Sequence, residues 1–270
     1  MIEFSIISSC NMNGVCCMKL SKLFLDAADT ILNYIVILLL CIAGVYAGYA
    51  LWDNSQVYAQ ADDVQADMLK LKPDIEESRP SFEELLAINS DVVGWITVDN
   101  TNIDYPILQG ETNLTYINTD IYGEFALAGS IFLDSRNDGA FNDLYSLLYG
   151  HSMASGRMFG DIELYKDEDF FKENQEASLL TLEKVYDLEI FASLLVPANE
   201  AEIFNPTLWQ DDISQLVDYT DNNALYVNED TIQRVQGKED VQILALTTCS
   251  YEFTDARTVI LAIMEASPAE

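Results

Sequence analysis

An uncharged run of 23 residues, Thr30 to Trp52, constrains this chain more than any other feature of its sequence. Built around Ile35-Val36-Ile37-Leu38-Leu39-Leu40, it provides roughly 34 Å of helix at about 1.5 Å per residue. The hydrocarbon core of a bilayer is about 30 Å thick, so the run is long enough to span it. A cleaved signal peptide is the competing reading, with Ala59-Gln60-Ala61 as an Ala-x-Ala site. The apolar region of a signal peptide usually holds about 7–15 residues, and this run is longer. The sequence therefore predicts an uncleaved membrane anchor.

Lys19 and Lys22 precede the run, while Asp53, Asp62 and Asp63 follow it. The positive-inside tendency then keeps the N-terminus in the cytoplasm and carries residues 53–270 to the outer face. The expected organisation is a cytoplasmic N-terminus (1–29), the anchor (30–52), a helical linker (53–80) and an extracellular domain (81–270). Residues 1–17 carry three cysteines and no basic residue, whereas Met18-Lys19-Leu20-Ser21-Lys22 is short and basic. Translation is accordingly expected to begin often at Met18, which N-terminal peptide analysis would test.

Lys plus Arg number 13 against 45 Asp plus Glu, a formal net charge of −32. Such a surface repels phosphate backbones and anionic headgroups, which excludes a nucleic-acid partner. Five cysteines and one histidine are too few for a disulfide framework or a His-rich metal cluster. The predicted topology leaves Cys10, Cys16 and Cys17 on the reducing side and Cys41 within the span. Cys249 is then the only cysteine of the outer domain, either a buried apolar thiol or a reactive one. Asp167-Glu168-Asp169 and Asp211-Asp212 could offer oxygen ligands to Ca²⁺, but no EF-hand spacing is present and a solvated surface is the better reading. No metal and no cofactor is expected.

Beyond the anchor, Val57, Ala61, Val64, Met68 and Leu71 recur at helical steps, with Pro73 as a stop. Ser81 with Glu84 fits a capping box opening a short helix through Leu85, Leu86 and Ile88. From Val92 the pattern changes to short apolar or alternating runs bounded by turn residues. Strands are predicted at Val92–Val98, Ile103–Leu108, Ser130–Leu133, Tyr145–Tyr149, Ser178–Leu182, Tyr186–Val196, Val241–Thr248 and Thr258–Met264. Helices are expected at Asp161–Lys172 and Asp211–Tyr219. Short strands without regular intervening helices predict a mainly β fold closed, or nearly closed, into an eight-stranded barrel.

Three residues could carry chemistry. His151 follows the predicted strand at Tyr145–Tyr149, Cys249 ends the one at Val241–Thr248, and Arg257 precedes Thr258–Met264. Each has an ordinary structural reading: a satisfied polar residue, a packed thiol, a solvated cation. Together they supply a nucleophile, an acid–base group and a cation able to hold a developing oxyanion.

These residues sit in stretches that resemble the class B sortases. Ala245-Leu246-Thr247-Thr248-Cys249 with Arg257 resembles the sortase signature Thr-Leu-x-Thr-Cys and its downstream arginine, departing from it at Ala245. Tyr149-Gly150-His151-Ser152-Met153 with Met158-Phe159-Gly160-Asp161 resembles the histidine region of that class. Phe82-Glu83-Glu84-Leu85-Leu86, Asp91-Val92-Val93-Gly94-Trp95-Ile96, Ile103-Asp104-Tyr105-Pro106-Ile107 and Gly129-Ser130-Ile131-Phe132-Leu133-Asp134 resemble further class B stretches, in order.

The resemblance implies an eight-stranded barrel with N-terminal helices and a helix before the cysteine strand. It implies a transpeptidase on the outer face of a Gram-positive-type membrane. The enzyme would cleave a C-terminal sorting signal through a thioacyl intermediate and pass the cargo to an amine of peptidoglycan or of a pilin. Cys249 would be the nucleophile, His151 the general acid–base, Arg257 the holder of substrate and oxyanion, and Thr247 and Thr248 supports of the site wall. A cysteine hydrolase using the same residues, or a non-catalytic acidic domain tethered to the membrane, are the alternatives. Papain-like order is Cys before His, whereas here His151 comes first.

Overall fold

The computed structural model describes residues 4–74, 81–249 and 256–267. The chain divides into two compact units, Met1–Gln56 and Val57–Glu270. The first is helical. Helix α1 (Phe4–Leu69) begins there and contains, between Lys22 and Leu69, a window of mean hydropathy 2.3 with none of it buried in the protein. By length and composition this helix can cross a membrane. Leu38, Leu39 and Leu40 are 60–66% exposed, apolar surface that water penalises by about 25 cal/mol per Å² and a bilayer accepts.

The part of α1 in the second unit is amphipathic, as its spacing predicts. Val57, Ala61 and Val64 are half-buried and Met68 is buried. Val64 and Met68 pack with Phe82, Leu85, Trp95, Leu108 and Leu180. The short helix α2 (Glu83–Ile88) follows, but the expected capping box does not form. Phe82 occupies the N-cap position, and no side chain caps the helix. Burying the Phe82 ring is worth about 1.5–3 kcal/mol against about 1 kcal/mol for a cap, so the helix starts where that ring packs rather than at Ser81.

The remaining elements form a closed barrel. Its strands are β1 (Val92–Val98), β2 (Asp104–Leu108), β3 (Ile131–Leu133), β4 (Tyr145–His151), β5 (Glu176–Thr181), β6 (Val185–Pro197), β8 (Ile243–Cys249) and β9 (Ala256–Ala266). They are hydrogen-bonded in the order β5-β1-β2-β3-β4-β8-β9-β6, and β6 returns to β5. Closure removes the open edges that an acidic surface alone would have to protect. The two-residue strand β7 (Tyr226–Val227) pairs with β6 outside this ring. Pairings β2–β3 and β4–β8 are parallel, and the others are antiparallel.

Strands β4, β8 and β9 are covered on both faces, which explains their near-continuous apolar runs. Leu148, Leu244, Leu246, Ile260 and Ala262 face the barrel interior. Leu147, Ile243, Ala245, Val259 and Leu261 face outward against Ile203, Trp209, Leu216, Val217 and Ile232. That outer layer comes from the long connection between β6 and β8, through α4 (Ala201–Phe204), α5 (Ser214–Asn223) and α6 (Glu229–Val235). The helix expected at Asp211–Tyr219 is α5, shifted because Asp212 accepts a hydrogen bond from the Ser214 amide at 2.8 Å and holds the turn ahead of it.

The helix expected at Asp161–Lys172 is broken into a 3-10 segment, Gly160–Lys166, and α3 (Glu168–Glu173). Asp167 between them is extended and caps α3 by accepting from the Phe170 amide at 3.0 Å. An N-cap residue has non-helical backbone, so the same side chain that starts α3 ends the segment before it.

Candidate active site

Strands β4 and β8 run parallel and in register, pairing Tyr149 with Thr247, Gly150 with Thr248 and His151 with Cys249. Strands β8 and β9 are antiparallel, pairing Ala245 with Leu261 and Thr247 with Val259. Carried two residues further, that register sets Arg257 opposite position 249. Neighbouring strands lie about 4.8 Å apart, so His151, Cys249 and Arg257 occupy one row across three adjacent strands. Strand parity puts His151 and Arg257 on the outward face, the face shared by Leu147, Ala245 and Val259. This row lies where β4 and β8 end, beyond the apolar layer that covers the rest of that face.

Each position in the row has a local cause. Gly150, just before the histidine, faces inward against Phe159; a Cβ there would lie 2.7 Å from the Phe159 ring and 2.5 Å from Ile131 Cδ1. The chain after His151 turns back, with the Phe159 amide donating to the His151 carbonyl at 2.9 Å. Arg157 in that turn donates to both carboxylate oxygens of Asp62 on α1, at 2.5 and 2.7 Å, and lies over the Tyr58 ring. The imidazole Nε2 of His151 is 2.7 Å from the Ile117 carbonyl oxygen.

Arg257 is half-buried, and its Nη1 is buried without a hydrogen-bond partner among the described residues. A buried guanidinium nitrogen with no acceptor costs free energy, about 1–3 kcal/mol or more for a charged group. Such a donor is well suited to an acceptor that arrives with substrate. Next to it, Thr258 donates to Glu163 Oε1 at 2.7 Å, tying the start of β9 to the 3-10 segment that follows the histidine turn. Thr247 shares the row's face but is fully buried, and its hydroxyl likewise has no partner among the described residues. Thr248 is buried and falls on the opposite, interior face.

Joined to β4 is a buried carboxylate that sequence reasoning placed only in a family-like stretch. Asp134 accepts from Arg136 Nε at 2.8 Å and Nη2 at 2.7 Å, from Asn113 Nδ2 at 2.9 Å and from the Tyr149 hydroxyl at 3.1 Å. Arg136 also donates to the Phe204 carbonyl at 2.7 Å. The network thus joins the loop containing Ile117, the strand carrying His151 and the layer over the outward face. Burial pushes the Asp134 carboxyl up, but its bonds from Arg136 and Asn113 outweigh this and hold it below the usual range.

Asp134→Ala is therefore expected to cost about 3 kcal/mol, the lower end for a broken buried pair because Arg136 keeps contact with water. The sign with pH follows from the lowered value. The contribution is complete above the unfolded carboxylate's pKa of about 4 and is lost as pH falls through the folded value. Thermal melts of variant and wild type should differ most at neutral pH and converge in acid; a gap independent of pH would contradict this.

Among the described residues, no group of three or more His, Cys, Asp or Glu is placed to hold a metal. Asp167 and Asp212, from the acidic clusters, each accept a hydrogen bond from a backbone amide.

Comparison with known proteins places the chain among relatives of one family. The Sortase domain family matches residues 96–265. Sortase B of Listeria monocytogenes serovar 1/2a is 32% identical over 228 residues, covering 82% of this chain and 89% of that protein. Sortase B of Staphylococcus aureus is 29% identical over 236 residues, covering 86% and 95%. Among solved structures, a Streptococcus pyogenes class B sortase involved in pilus biogenesis is similar with TM-score 0.61 and 37% identity, over 68% of this chain and 98% of that one. A Staphylococcus aureus sortase B–substrate complex is similar with TM-score 0.63 and 28% identity, over 80% and 97%.

Proposed function

This chain belongs to the sortase family, in its class B, and is a cysteine transpeptidase; on that premise we propose that His151, Cys249 and Arg257 carry its reaction. Cys249 attacks the scissile carbonyl of a C-terminal sorting signal, and the cargo becomes a thioester on its sulfur. His151 takes the thiol proton and returns it to the leaving amine. Arg257 holds the substrate and the developing oxyanion, while Thr247 and Thr248 support the wall of the site. An amine then attacks the thioester, from a peptidoglycan cross-bridge or from a pilin lysine. The observation that carries this reading is the register that pairs His151 with Cys249 on adjacent strands, with Arg257 on the next strand and its Nη1 buried without a partner among the described residues.

The decisive experiment incubates the protein with a library of sorting-signal peptides and identifies adducts by mass spectrometry. A thioester on the Cys249 peptide, discharged by added amines into amide products, is the expected result. Discharge by water alone would make the chain a hydrolase with the same residues. Absence of any adduct, with a thiol inert to alkylation, would leave a binding domain.

The domain 81–270 acts outside the cell, held by the anchor 30–52 through the linker 53–80, with 1–29 in the cytoplasm. Support comes from Lys19 and Lys22 before the apolar run and the acidic residues after it. Protease added to intact cells is then expected to destroy epitopes placed in 81–270 and to spare one placed before Lys19. The opposite protection pattern would reverse the orientation.

A further inference from the structure

We propose that His151 works through Nδ1 alone, with Nε2 permanently protonated on the Ile117 carbonyl, and that Gly129 is the residue that permits this. The inference rests on the reading of His151 as the acid–base group and adds to it which nitrogen exchanges the proton and what holds the ring. A carbonyl oxygen only accepts, so the 2.7 Å contact from Nε2 to Ile117 O requires a proton on Nε2 in both the neutral and the charged ring. In the neutral ring the lone pair is then on Nδ1.

The carbonyl is presented by construction. Four consecutive carbonyls of this loop each receive a donor. Tyr116 O accepts from the Ser130 amide at 3.0 Å and Asn118 O from the Ala126 amide at 3.1 Å. Thr119 O accepts from the Ser130 hydroxyl at 2.8 Å. The loop thus satisfies the carbonyls on both sides of Ile117 internally and turns that of Ile117 to the imidazole. Gly129 is packed directly on this carbonyl. Its φ is +59°, and a Cβ there would lie 2.3 Å from Ile117 O and 2.7 Å from Tyr116 O. Any side chain at 129 must displace the acceptor that fixes the ring.

The proton inventory closes on one nitrogen. Nδ1 takes the proton of the Cys249 thiol, leaving a thiolate and an imidazolium. As sulfur bonds to the carbonyl carbon and the intermediate collapses, Nδ1 gives that proton to the departing amine nitrogen. In the second half Nδ1 takes a proton from the incoming amine as it bonds to carbon, and returns it to the departing sulfur. The Nε2 proton never leaves. Gly129 and the Ile117 backbone are thus positioning elements for the histidine.

The chain has a single histidine, so its ring nitrogens are read without assignment ambiguity once any affinity tag is removed. The test is nitrogen NMR of the full-length protein in detergent, labelled at histidine, at a pH where the ring is neutral. The Nε2–H tautomer is expected; an Nδ1–H tautomer overturns the proposal. Gly129→Ala is expected to lower kcat by about 100-fold, the scale of a misplacement near 1 Å, and to mix the two tautomers, with KM changed far less. Unchanged kcat with an unchanged tautomer removes the role given to Gly129. If the variant fails to fold, the wild-type tautomer still decides the assignment of the nitrogen. His151→Gln separates this inference from the reading beneath it: retained activity there would remove the acid–base role itself, whatever the tautomer.

Discussion

Replacing Cys249 with alanine is expected to abolish both peptide cleavage and transfer to amines while leaving the barrel folded. On the proposed assignment the reaction has one covalent route, through the Cys249 sulfur, and no other cysteine of the chain follows the apolar run Thr30–Trp52. Where a nucleophile acts as a unit with its base, removing it costs about six orders of magnitude in kcat, which places the variant below detection. The structural cost is small. Position 249 is the last residue of β8, and the ladder with β4 is made by backbone groups that alanine retains. A loss of about 1–2 kcal/mol at most is expected. Peptide cleavage, amide formation and a thermal melt, measured on wild type and variant together, check the three parts of this expectation. Turnover near wild type with the thiol gone would end the covalent reading, and a variant that does not fold would make Cys249 structural.

Strands β8 and β9 were legible because both of their faces are buried. Ile243-Leu244-Ala245-Leu246 and Val259-Ile260-Leu261-Ala262-Ile263 read as apolar runs, since alternate residues serve two different cores. The predicted and observed spans of β1 coincide at Val92–Val98. Strand β7 was not legible: two residues, Tyr226 and Val227, carry no period. Helix positions slipped where one side chain had a stronger alternative use. Phe82 is buried rather than displaced by a cap, and Asp167 and Asp212 take backbone amides that restart the chain direction.

The candidate site was legible in its residue types and not in its geometry. His151 and Cys249 are 98 residues apart in sequence, and a parallel pairing depends on the crossover between strands, which no local pattern records. The register that aligns them, and the parity that sends Thr247 to their face and Thr248 to the other, exist only in the sheet. Ile117 was invisible for a different reason: it acts through its carbonyl, which every residue possesses. The only trace it leaves in the sequence is indirect, a glycine at 129 where any Cβ would strike that oxygen.

Arg257→Lys is expected to lower turnover by at least tenfold, and by as much as about 100- to 1,000-fold if the full contribution of a preorganised oxyanion donor is lost. The two residues carry the same charge, so an effect of that size isolates geometry from charge. Guanidinium presents a planar fork of donors and stays weakly hydrated, whereas ammonium is a compact, strongly hydrated point charge on a flexible stem. The structure gives a reason for the fork to matter. Arg257 stands at the start of β9, its backbone fixed by pairing with Val196 on β6, and its Nη1 is buried with no partner among the described residues. That donor is already desolvated, so a substrate oxygen gains the bond without the arginine first shedding water. A lysine would have to give up its hydration shell in the same place to do less. Cys249 should remain open to alkylation by a small thiol reagent in the lysine variant, because that reaction develops no oxyanion for Arg257 to hold. Cleavage and alkylation rates measured side by side therefore separate the two roles. Near-normal cleavage would reduce Arg257 to a general positive charge, and parallel loss of alkylation would move its action from the oxyanion to the thiolate.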